Sequence, residues 1–165
     1  MPLPSTMTPI ATTTLGSGIT TATLSSISSA YTDLVMVITR GGDEGSLRMY
    51  FYSDTGTNYS TTIIAGTGSA ANSVRQSTQN AILINGVYGA TNANTNTIVQ
   101  LQNYSNTTTN KTVLSRGTIP DDETVACVGL WRSTAAINSI SITAINGTGL
   151  WLSGSTITLY GIKAA

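Results

Sequence analysis

Asp54, Thr55 and Gly56 form a stretch of this chain whose order could serve acid–base chemistry. A carboxylate used that way shares one proton with a second carboxylate, so a short chain carrying the tripeptide once would have to dimerise. Asp121, Asp122 and Glu123 form the acidic cluster and could offer oxygens to a hard cation such as calcium. Three adjacent residues alternate direction, so they would need help from other loops. Cys127 is the single cysteine and there is no histidine. That composition excludes Ser-His-Asp and Cys-His nucleophilic machinery and every His-based zinc site. Cys127 can form no internal disulfide, and its setting in "TVACVGLW" reads as a buried strand position.

Each motif also has a plainer reading. In aspartic proteases apolar residues precede the aspartate, whereas Tyr52 and Ser53 stand here, and Asp, Thr, Gly and Asn are what polar turns use. The segment "TRGGDEGS" resembles the signature loop of diguanylate cyclases, but Gly45 replaces the closing aromatic, so a hairpin loop from Arg40 to Ser46 is expected. A solvated turn is expected for Asp121 to Glu123. Asn58, Asn103, Asn106, Asn110 and Asn146 begin Asn-X-Ser/Thr triplets, which chance supplies when Ser and Thr are this abundant. Trp131, Tyr104, Tyr88 and Trp151 could stack on sugar rings if exposed. Trp151, in the loop-like "NGTGLWLSGS", is the candidate exposed binding aromatic.

The elements that must position these residues are short strands. Runs rich in β-branched and aromatic residues recur, separated by Gly, Asn, Ser or Asp: "IATTTL", "ITTATL", "DLVMVITR", "LRMYFY", "TTIIAG", "AILING", "TIVQLQNY", "KTVLSR", "TVACVGLW", "SISITAI" and "TITLYGI". With almost no helical periodicity between them, they predict an all-β antiparallel sandwich or barrel. "DLVMVIT" is apolar at every other position on both faces, so a central strand covered on both sides is expected. Asn85-Gly86 and Asn146-Gly147 favour tight hairpin turns. Thr55–Thr61, Thr67–Gln79 and Tyr88–Asn96 read as surface linkers. Leu34, Met36, Ile38, Met49, Phe51, Val128, Ile140 and Leu159 are the expected core.

One domain is expected, residues 10–165, preceded by an extended arm over residues 1–9 because Pro2, Pro4 and Pro9 oppose inner-strand pairing. Charged residues are 8% of the chain, seven basic against seven acidic, and hydrophobic residues are 40%. The polar surface must therefore come from Thr, Ser and Asn. Zero net charge removes repulsion between copies and suits an assembly. Lys and Arg are scattered, so no nucleic-acid footprint is expected. No apolar run approaches the ~20 residues of a spanning helix, and the N-terminus has neither the basic start nor the apolar stretch of a signal peptide.

Taken in order, "PIATTTLGSGITTATLSSISSAYTDLVMV", "DTGTNYS", "NYSNTTTNKTVLSRG", "VGLWRSTAAINSISI" and "STITLYGIKAA" resemble a family of virion proteins from tailed bacteriophages, notably those of cyanobacteria and marine bacteria. The resemblance runs from about Thr8 to Ala165. It implies a jelly-roll-like β-sandwich, often a homotrimer, carried at the distal end of tail fibres or as a small free-standing structural protein. Only Met1 to Met7 precedes it, which fits the free-standing form. The expected function is a capsid decoration, or cement, protein on the outside of the major capsid shell; the alternative is a tail-fibre adhesin module recognising host surface polysaccharide. Neither requires a catalytic residue, metal or cofactor. The implied partners are other copies of the chain, the major capsid protein or other virion proteins, and in the alternative a host glycan; no nucleic acid or membrane is implied.

Overall fold

A computed structural model describes residues 6–41, 46–86, 94–120, 123–145 and 150–163. The chain is all-β, two antiparallel sheets packed as a single sandwich, with no helix among the described residues. In chain order the strands are β1 (Met7–Thr14), β2 (Thr21–Leu24), β3 (Asp33–Arg40), β4 (Ser46–Phe51), β5 (Tyr59–Gly66) and β6 (Ala71–Gln79). The second half supplies β7 (Ile82–Leu83), β8 (Thr95–Leu101), β9 (Lys111–Ile119), β10 (Glu123–Trp131), β11 (Ile140–Ile145) and β12 (Thr156–Ile162). The larger sheet has the order β1-β12-β3-β8-β9-β10-β5-β6 and the smaller β2-β11-β4-β7. The smaller sheet's strands alternate along the chain with β3, β5–β6 and β10 of the larger, a jelly-roll-like interleaving. The β9–β10 and β5–β6 pairs extend the larger sheet beyond β1-β12-β3-β8.

Period-2 patterning explains how these strands share a core. In β3, Leu34, Met36 and Ile38 point inward and are fully buried, while Val35 and Val37 point outward and are half-buried. The strand is central, between β12 and β8, but the second sheet covers only one of its faces. That corrects the expectation of cover on both sides. Leu159, Met49, Phe51 and Ile140 join the three β3 residues in one cluster, at 0% exposure. Val128 does not, and stands 49% exposed. Its strand turns Val125, Cys127, Gly129 and Trp131 inward, so the alternate residue, apolar or not, faces out. Gly129 faces Ile82 of the other sheet, and a Cβ there would collide with it.

The closing strand β12 is tied between β1 and β3, as its alternation implies. The boundary of the N-terminal arm moves, however. Residues 1–5 lie outside the described residues, but Met7, Thr8 and Pro9 pair with Ile162, Gly161 and Tyr160. Proline is tolerated because β1 is an edge strand, and the register shifts between Pro9 and Ala11. The linker expected at Thr67–Gln79 is another correction, since residues 71–79 form β6, paired along β5. Eight of the eleven expected runs overlap β3, β4, β5, β8, β9, β10, β11 and β12, and the other three overlap β1, β2 and β7.

Candidate interaction surface

The strand β4 ends in a turn that carries the Asp54 motif. Tyr52 and Ser53 both adopt left-handed backbone angles, φ 54° and 59°, a conformation unfavourable for residues with a Cβ unless surrounding contacts impose it. Those contacts are present. The Tyr52 hydroxyl donates to the carbonyl of Ala136 and accepts from the amide of Asn138 at 2.9 Å. The Tyr59 hydroxyl accepts from the Phe51 amide and donates to the Asp54 carbonyl, each at 3.1 Å. The Asp54 carboxylate accepts from Trp131 Nε1 at 2.8 Å, from the Gly56 amide at 2.9 Å and from Asn58 Nδ2 at 3.1 and 3.2 Å.

Burial pushes the Asp54 carboxyl up, but the bonds from Trp131, Asn58 and Gly56 outweigh it and hold the group below its ordinary value. The carboxylate braces a turn against the aromatic set Phe51, Tyr59 and Trp131, whose Tyr59 and Trp131 rings stack 6.2 Å apart. Burial likewise pushes the Tyr59 phenol up to about 12.

The other sequence candidates separate in space. Trp151 is fully buried, which corrects its assignment as an exposed binding aromatic. It bridges to Ile19, donates Nε1 to the Thr20 carbonyl at 3.3 Å and lies under the Arg40 guanidinium, 5.9 Å from the ring centre. Glycines and serines around it look like a loop, yet its indole closes one end of the core. Tyr104 and Trp131 are buried too, Tyr104 donating to the Ser28 carbonyl, and Tyr88 lies outside the described residues. Arg40 to Ser46 joins strands of different sheets, so it is a crossover and not a hairpin; residues 42–45 lie outside the described residues. Glu123 opens β10 and is buried, 6% exposed, which departs from the solvated turn expected there; Asp121 and Asp122 lie outside the described residues.

At Asn85-Gly86 only Gly86 is left-handed, φ 105°, while Asn85 Oδ1 accepts from the Leu47 amide at 2.5 Å. The asparagine is therefore an anchor between β4 and the segment after β7, and Asn146-Gly147 falls outside the described residues. Asn106 Oδ1 accepts from the amides of Thr108 and Thr109, a side-chain-capped turn. Cys127 is buried as expected, and burial raises its thiol. Among the described residues no group of three His, Cys, Asp or Glu side chains comes together.

What the fold does bring together was missed in the sequence. On the outer face of the larger sheet, register places Leu114 opposite Val128 and Ala126 opposite Ile64. Ile64, Leu114 and Val128 are 61%, 42% and 49% exposed. Val37 lies opposite Ile98 on the adjoining strands, both half-buried, and Ile98 lies opposite Arg116. Beyond β5 the sheet continues into β6, whose nine residues are almost wholly exposed because the smaller sheet does not reach them. Residue types alone do not mark it, because β10 and β5 carry apolar residues in both phases and the partner sheet selects the inward one.

The fold thus defines a jelly-roll-like β-sandwich with one broad uncovered sheet face. No protein-family model matches the chain, and no curated protein shows significant similarity to it.

Proposed function

We propose that this chain is a structural protein of a tailed-phage virion, a capsid decoration protein that binds as a homotrimer to the outer surface of the major capsid shell. Its work is attachment rather than catalysis. The observation that carries this reading is the uncovered face of the larger sheet, where apolar side chains lie among Thr, Asn and Gln with few charges, Arg116, Arg75 and Asp33 among the described residues. Such a face suits a protein neighbour. The resemblance of the ordered segments from Thr8 to Ala165 supplies the particle, and the neutral composition fits dense packing of copies. The adhesin alternative relied on an exposed Trp151, which is buried, so it has no aromatic platform at that position.

Cement function requires a copy number that follows the capsid lattice, because each copy reinforces the shell only locally. Cryo-electron microscopy of the source virion is expected to show the protein repeated over the head. Particles lacking it should lose DNA at lower temperature yet adsorb normally to cells. Heat-stable particles that fail to adsorb would replace this reading with the adhesin.

A further inference from the structure

The geometry points to the outer face of β3, β8, β9, β10 and β5 as the surface on which a second copy of this chain docks. This deepens the oligomeric part of the function proposed above and rests on the same uncovered face, here assigned to contact between copies. The patch is continuous across the strands: Val35 and Val37 from β3, Ile98 from β8, Leu114 from β9, Val128 from β10 and Ile64 from β5. In every case the neighbouring residues along the strand are buried in the chain's own core, so exposure of this row is imposed by strand parity. Among the described residues nothing covers Ile64, Leu114 and Val128.

Size and charge favour a copy of the same chain. Five strands about 4.8 Å apart, each contributing about 20 Å of length, present roughly 500 Å² per copy. Two copies bury about 1,000 Å², near the lower bound for a specific contact, and β12 and β6 on either side extend it toward the standard ~1,600 Å². Beside Asp33 at the start of β3 and Arg75 on the adjoining β6, the charged residue among the described outward positions of these strands is Arg116. It lies toward the end of the face where Asn94, Asn96, Thr118, Pro120 and Thr124 line a shallow depression. Its aliphatic stem can cover apolar surface there while the guanidinium stays in water. The charges on this face are few and of both signs, so a second copy of this chain, whose net charge is zero, meets no repulsion there.

The test is the mass of the purified full-length chain by sedimentation or light scattering at tens of micromolar, compared with Leu114→Lys, Val128→Lys and Leu152→Lys. Leu152 is 48% exposed but lies in the loop before β12, its amide bonded to the Gly41 carbonyl beyond the end of β3, and is not a member of the outward strand row. The wild type and Leu152→Lys should be oligomers. Leu114→Lys and Val128→Lys should raise the dissociation constant at least about tenfold, with circular dichroism and melting temperature of the monomer unchanged, since both side chains are already in solvent there. A monomeric wild type overturns the inference. So does an oligomer that survives both β-face changes, or one that Leu152→Lys dissolves. Because the chain is measured alone, failure here leaves the capsid reading to the particle experiment.

Discussion

Replacing Asp54 by Ala tests whether this carboxylate is a brace. The change removes the acceptor of Trp131 Nε1 and releases the Gly56 amide and Asn58. Trp131 is only 3% exposed, and a buried donor left without its acceptor costs about 1–3 kcal/mol. Asp54 itself is only half-buried, so water can enter the space it leaves, and the lower half of that range applies. A loss of about 1–2 kcal/mol corresponds to a melting point lowered by about 3–6 °C for a chain of this size. Thermal and urea unfolding would read it, together with Trp131→Phe and the double variant. Removing the donor first should shrink the cost of losing the acceptor, giving a coupling of about 1 kcal/mol. If Asp54→Ala melts with the wild type, or the two changes simply add, the carboxylate does not brace the turn. The same contact has a pH signature. A carboxyl held below its ordinary value stabilises the fold above the unfolded pKa of about 3.9, and that stability is lost as pH falls through the lowered folded value. Asp54→Asn should flatten that acid limb.

Tyr59, raised to about 12, stabilises the folded state fully below the ordinary phenol value near 10 and loses that contribution as pH rises toward 12; Tyr59→Phe should lessen the alkaline loss in stability-versus-pH curves. Gly129→Ala would drive a methyl into Ile82, and Gly161→Ala one into the Tyr31 ring, each costing about 1–3 kcal/mol in urea unfolding. Met36→Ala should cost about 2–5 kcal/mol by the same measurement, because Met36 is fully buried in the main cluster. Deleting residues 1–9 should leave a folded domain by circular dichroism but lower its melting point, since three register pairs of β1 with β12 go with them.

Strand positions were legible wherever a strand has one face in the core, because burial imposes period 2 on the residues themselves. "DLVMVITR" and "TITLYGI" coincide with β3 and β12 for this reason. Strand β6 was invisible: "ANSVRQSTQ" has no face in the core, so nothing selects alternation, and only its ladder with β5 makes it a strand. Val128 was misassigned because composition cannot tell which phase of an apolar strand points inward; the partner sheet decides that.

The all-β class, the exclusion of histidine chemistry and the weakly charged surface were fixed by composition and local pattern, which depend on residue types alone. Tertiary structure decided the rest. Whether an indole is a platform or a plug, whether an aspartate is an acid or an acceptor, and which apolar residues remain uncovered all depend on what lies opposite, and that is set by sheet order. Trp151 lies beneath Arg40, and Asp54 beside Trp131, across separations of more than 75 residues. No local pattern spans such a distance, because those neighbours meet only when two sheets close on one another.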